Sequence, residues 1–77
     1  MKQQKIIAFK KKDGRRTSVT LSDFQLETVD KIAEYKNMTR YQYLALIENK
    51  KPRNANLSSF IRDEIILELI LKINSLT

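Results

Sequence analysis

The sequence predicts a mainly α-helical domain with one short N-terminal strand, and three observations carry that expectation. Residues 18–21 alternate polar and apolar side chains, the two-residue period of a half-buried strand. Ser22 and Thr39 each stand three residues ahead of a glutamine, Gln25 and Gln42, the signature of a capping box that opens a helix. A third segment starts at Asn56 as a one-sided helical face (Phe60, Ile61, Glu64, Ile65) and then turns apolar nearly all round.

The chain has 77 residues, enough for a single domain (1–77) near the lower limit for a core that stands alone. It contains no cysteine and no histidine, so thiol chemistry, the commonest general base and the commonest neutral metal ligand are all missing. The carboxylates are scattered along helical faces, usually near a lysine. No catalytic residue, metal or cofactor is expected, and the protein is read as a non-enzyme.

The formal net charge is +6, and all of it lies in one segment. Residues 1–20 hold Lys2, Lys5, Lys10, Lys11, Lys12, Arg15 and Arg16 against Asp13 alone, whereas residues 21–77 carry eight basic and eight acidic side chains. An excess of this kind points to a polyanionic partner, with nucleic acid ahead of anionic lipid. The N-terminus lacks a secretory apolar region, since Ile6 to Phe9 is only four residues long. The apolar run from Ile65 to Ile73 is interrupted by Glu68 and Lys72 and is too short to span a bilayer. A soluble, intracellular (cytoplasmic) protein without membrane attachment is the expectation.

In order along the chain, a basic arm and strand occupy residues 1–21, the first four of them frayed. Residues 5–11 have strand character, and Asp13-Gly14 is a turn signal. A two-residue turn there pairs Ile6 with Leu21 and Ala8 with Val19, leaving Ile7 and Phe9 on the polar side. A loop one residue different reverses those faces, so the pairing of 5–11 stays open. In the strand proper, Val19 and Leu21 point to the core. Arg16, Ser18 and Thr20 point outward with groups that hydrogen-bond base edges or phosphates.

The first helix is expected over 23–36, with Leu26, Val29, Ile32 and Ala33 as its core stripe and Phe24 adding to it. Asn37 suits a left-handed C-terminal cap. A second helix, 40–49, carries Tyr41, Tyr43, Leu44, Ala45, Leu46 and Ile47 over more than one stripe. It is therefore buried on several sides or offers a partner surface, and burial is favoured in so short a chain. Lys50, Lys51 and Arg53 form a basic loop in which Pro52 stops the helix. The last helix, 57–74, is capped by Asn56. Its apolar second half exceeds what one subunit encloses, which argues for an obligate homodimer.

The runs Arg15-Arg16-Thr17-Ser18-Val19-Thr20-Leu21-Ser22 and Asn56-Leu57-Ser58-Ser59-Phe60-Ile61-Arg62-Asp63-Glu64-Ile65 resemble the ribbon-helix-helix family of DNA-binding proteins. The resemblance implies a homodimer whose strands pair into an antiparallel ribbon in the major groove of double-stranded DNA. Arg16, Ser18 and Thr20 would then read bases. The start of the last helix (Asn56, Leu57, Ser58, Ser59) would grip phosphate, reinforced by Lys50, Lys51 and Arg53. Lys10, Lys11, Lys12 and Arg15 flank the ribbon and complete the implied DNA-binding set. The family joins its two helices by a short turn, so the segment 37–55 marks an extra helix between them. That elaboration is similar to small DNA-binding proteins of spindle-shaped archaeal viruses.

Two other readings compete. In one, the inserted helix docks a protein partner through its tyrosines and the basic end is incidental. In the other, the basic end binds RNA or an anionic membrane. The aromatic residues do not cluster as a stacking platform for single strands, and residues 1–20 lack the pattern of an amphipathic anchor.

Overall fold

The computed structural model describes residues 4–76, with side chains described for 4–72. The elements run β1 (Gln4–Lys10), β2 (Arg16–Ser22), α1 (Asp23–Tyr35), α2 (Arg40–Lys50) and α3 (Leu57–Leu76). The predicted class, mainly α with one short N-terminal strand, gains a second strand here, so that one chain supplies both strands of a hairpin where the resemblance pairs strands of two chains; the helix boundaries agree with the sequence within two residues. Residues 1–3 of the expected frayed end lie outside the described residues, and Gln4, expected to be frayed, opens β1 opposite Ser22.

The strand segment left open by the sequence is a full partner of β2. β1 and β2 pair antiparallel, with Ile7 opposite Val19, Lys5 opposite Leu21 and Phe9 opposite Thr17. The loop explains this register. Gly14 N–H donates to the Lys11 carbonyl at 3.0 Å, and Lys11 N–H donates to the Arg15 carbonyl at 2.8 Å. Gly14 alone of the loop takes a positive φ, +91°. A three-residue hairpin loop of this form combines a tight turn with a left-handed glycine. The two-residue turn needs positive φ at both central residues, and Asp13 does not supply it. Asp13 instead accepts a hydrogen bond from Arg15 N–H through its carboxylate, at 2.9 Å. The longer loop turns Ile7 and Phe9 into the core, burying two large side chains where the alternative buries Ile6 and Ala8.

Both predicted capping boxes form in full. Ser22 Oγ accepts from Gln25 N–H and Gln25 Oε1 accepts from Ser22 N–H; Thr39 and Gln42 repeat the arrangement. At the other end of α1, Asn37 has φ 58°. Met38 N–H reaches the Ala33 carbonyl and Asn37 N–H the Glu34 carbonyl, which satisfies two carbonyls left over at the helix end.

The core lies between the inner face of the ribbon and the three helices. Val19 and Leu21 meet Leu26, Val29, Ile32 and Ala33 of α1, and Ile7 and Phe9 face α2. The inserted helix is structural: Tyr43, Leu44, Ala45 and Ile47 are buried, and α2 touches β1, α1 and α3. A bidentate pair from Arg40 to Asp30, at 2.8 and 2.6 Å, fastens its first turn to α1. Phe24 corrects the sequence expectation, because at 73% exposure it stands off the core stripe. Its position on α1 points it beside Thr28 and Tyr35, along a neighbouring face. α3 anchors through Ile61 and Ile65 and then leaves the core, exposing Ile66, Leu67, Leu69, Ile70 and Leu71.

Candidate nucleic-acid interface

The hairpin divides its side chains strictly by parity. With Ile7, Phe9, Val19 and Leu21 inward, the outward face holds Ile6, Ala8 and Lys10 from β1 and Arg16, Ser18 and Thr20 from β2, all exposed. Facing pairs are Lys10 with Arg16, Ala8 with Ser18, and Ile6 with Thr20. The exposed loop residues Lys12 and Arg15 continue the face beyond the Lys10–Arg16 pair. The side chains of Lys10, Lys12, Arg15 and Arg16 have no ion-pair partner among the described residues. The result is a hairpin two strands wide, cationic at its loop end, whose other end carries Lys5 paired with Asp23 at 3.5 Å.

Other expected contact residues are partly committed inside the protein. Lys11 is half-buried and lies 3.9 Å from Glu48 of α2, tying the loop to the inserted helix. Lys51 donates from Nζ to the carbonyls of Pro52 and Ala55, both at 2.9 Å, and so holds the α2–α3 loop in shape. Lys50 lies 4.0 Å from Glu64. Arg53 is exposed and, among the described residues, its side chain has no partner.

At the start of α3, Asn56 Oδ1 accepts from Ser59 N–H at 3.0 Å, the predicted cap. The amides of Leu57 and Ser58 belong to the first turn, where a helix has no internal acceptors for its N–H groups and carries the positive end of its dipole. Asn56 and Ser59 are exposed and Ser58 half-buried.

A second surface joins residues of α1 to the apolar half of α3 that the sequence assigns to dimerisation. Phe24, Thr28, Ile32 and Tyr35 of α1 face Leu69 and Leu71 of α3 across an open groove of about 390 Å³. Lys72 lies over the Tyr35 ring at 5.1 Å, and Lys36 reaches Glu68 at 3.2 Å, so charged side chains rim an apolar floor. The exposed apolar residues of α3 continue from it. The available signal was Phe24, which falls outside the 26/29/32/33 stripe when α1 is laid out at 3.6 residues per turn.

Among the described residues, no helix is long and apolar enough to cross a membrane. No curated protein and no solved structure matches the chain. A family model described as a ribbon-helix-helix domain matches residues 12–69, from the hairpin loop to the second half of α3. That family consists in general of DNA-binding transcription regulators without enzymatic activity. β2, α1, α2 and α3 as far as Leu69 fall within the match, and the chain belongs to the ribbon-helix-helix domain family.

Proposed function

We propose that this protein is a dimeric double-stranded DNA-binding protein, acting within the cell as a transcriptional regulator, that lays the outward face of its ribbon in the major groove. The observation that carries the reading is the outward face itself: Arg16, Ser18 and Thr20 point away from the core beside Lys10, Lys12 and Arg15, where the charge excess of the chain lies. Strands pair 4.7–4.9 Å apart, so a two-stranded ribbon fits a groove about 12 Å wide. Arg16, Ser18 and Thr20 contact base edges in this arrangement, and Lys10, Lys12 and Arg15 neutralise phosphates. Lys11 stays near the backbone while bracing the loop on Glu48. The first turn of α3, with Asn56, Ser58 and Ser59, receives a phosphate, helped by Arg53. Lys50 and Lys51 support that turn mainly by fixing the loop before it.

The exposed apolar residues of α3 and the groove against α1 support dimerisation. A contiguous apolar surface of this extent on a chain of 77 residues is stabilised by a second copy. Docking of a protein through the tyrosines of α2 is the weaker reading, because Tyr43 is buried and only Tyr41 is exposed.

The test is fluorescence anisotropy with unrelated duplexes across a salt series, with the oligomeric state measured by sedimentation. Counterion release predicts a log–log slope near −0.9 for every phosphate neutralised. Arg16→Ala and Lys10→Ala should each weaken binding, and every phosphate that a variant leaves unneutralised makes the slope shallower by roughly 0.9. Wild-type binding by both variants, or no binding by the wild type at low salt, refutes the ribbon assignment.

A further inference from the structure

We propose that the dimer builds a four-stranded sheet, in the order β1-β2-β2-β1, by pairing β2 edge to edge with β2 of the second copy. The two central strands enter the major groove, and each β1 lies over a phosphate backbone at the border of that groove. The inference rests on the dimeric DNA-binding reading above. It adds to it the place of β1, whose residues precede the segment that the family model matches.

The hydrogen bonding of the hairpin leaves β2 one open edge. Lys11 N–H donates to the Arg15 carbonyl, and hydrogen-bonded pairs recur at every second residue of an antiparallel ladder. In this register Thr17, Val19 and Leu21 turn their backbone groups toward Phe9, Ile7 and Lys5. The N–H and carbonyl groups of Arg16, Ser18 and Thr20 therefore point away from β1, and they meet no partner among the described residues. Ser22 N–H lies on the same edge and is taken by Gln25 Oε1 at 2.9 Å, which closes the edge where α1 begins. A row of unpaired backbone groups is a template for another strand.

Two features select a second β2 as the occupant. Antiparallel pairing about a two-fold axis uses the open edge in full, with Ser18 opposite Ser18 and Arg16 opposite Thr20. It also sends the two cationic loops, with Lys12 and Arg15, to opposite ends of the sheet, which keeps like charges apart. The outer edge of β1 is a poorer template, because Lys5 and Lys10 stand in that strand and lysines guard an edge against pairing. A sheet of four strands is then too wide for the groove. Three strand spacings set the outer axes about 14 Å apart, whereas the groove is about 12 Å wide. β2 and its copy carry Arg16, Ser18 and Thr20 to the bases, and β1 rests on the rims. There the outward Lys10, exposed and without an ion-pair partner among the described residues, meets phosphate.

The chain has no cysteine, so single cysteines report which strands of two copies are adjacent. Ser18→Cys and Ala8→Cys are each oxidised and separated by denaturing electrophoresis without reductant. Ser18→Cys should give a covalent dimer, because opposite residues of such a pair have Cα atoms about 5.5 Å apart, within the range a disulfide bridges. Ala8 faces Ser18 from the outer strand, so two copies of Ala8→Cys lie about 14 Å apart and should stay unlinked. Lys10→Ala is titrated with an A·T-rich and a G·C-rich duplex across a salt series. Each dimer loses two phosphate contacts, so the log–log slope should become shallower by roughly 1.8 while both duplexes weaken by the same factor. A covalent dimer through Ala8→Cys, or none through Ser18→Cys, overturns the proposal. An unchanged slope for Lys10→Ala overturns it as well, and so does an altered preference between the duplexes, which would put β1 against bases. Failure of the DNA-binding reading is distinct: no duplex would then be bound by the wild type even at low salt, whichever cysteine cross-links.

Discussion

Replacing Leu44 by alanine tests whether the inserted helix belongs to the core. Leu44 is 0% exposed and lies in the cluster that joins α2 to the ribbon and to α1 and α3. The substitution removes three carbon atoms, worth about 2.4 kcal/mol at roughly 0.8 kcal/mol each. A cavity term adds to this, because helices held on several sides cannot close fully over the gap, and buried Leu→Ala changes cost about 2–5 kcal/mol in all. At roughly 0.05–0.15 kcal/mol per residue, a domain of 77 residues has a total stability of about 4–12 kcal/mol. The variant should thus lose a substantial fraction of its stability. Urea unfolding at fixed protomer concentration is the assay, since stability of an associating chain depends on concentration. The midpoint should fall with little change in slope, while Tyr41→Ala, at an exposed position, should move by less than about 0.5 kcal/mol. A loss below about 1 kcal/mol for Leu44→Ala would show that α2 is an appendage and that the core is the ribbon with α1 and α3 alone.

The Tyr43 hydroxyl is buried with no hydrogen-bond partner among the described residues. Burial pushes its phenol well above the ordinary value, with Glu68 and Glu64 adding to the shift. Tyr43→Phe should stabilise the protein by about 1 kcal/mol at neutral pH. Because the raised group favours folding fully only below the unfolded pKa near 10, its contribution falls by about 1.4 kcal/mol per pH unit above that. Stability of the wild type relative to Tyr43→Phe should accordingly decline only in alkali; a constant difference up to about pH 11 would count against it. Gly14→Ala should cost about 1–2 kcal/mol by thermal unfolding through its left-handed backbone alone, because no atom lies within 4 Å of the added carbon. Gly14→Asn should cost less, and equal costs would mean that the loop changes form. Leu69→Glu, in the apolar groove, should convert a sedimenting dimer to monomer; an intact dimer would move the interface elsewhere.

Local signals made most of the fold legible. Ser22, Thr39 and Asn56 marked the helix starts because a cap depends on a few adjacent residues and little else. Asn37 marked the stop of α1 for the same reason. Alternation assigned Val19 and Leu21 inward and Arg16, Ser18 and Thr20 outward. The phase of β1 was not legible, since it depends on whether two or three residues close the hairpin, and Asp13-Gly14 fits either count. Tertiary burial of Ile7 and Phe9 decides between them. Phe24 departs from the expectation because its helical phase sets it with Thr28 and Tyr35, away from the Leu26, Val29, Ile32 and Ala33 stripe. The cations of the α2–α3 loop carried a similar ambiguity: composition counts Lys50 and Lys51 as available charge, whereas three dimensions bring Glu64 and two carbonyls to them.

Because β1 and β2 come from one polypeptide, their hairpin and its outward face are assembled without help from a second copy. Hairpins closed by a short loop form in about 1–10 μs, whereas association waits on concentration. The face therefore exists before any two chains meet. In an assembly that mixes intact chains with chains altered at Arg16, each intact chain retains a whole hairpin. A lesion there would change the outward face of one copy and leave that of the other untouched.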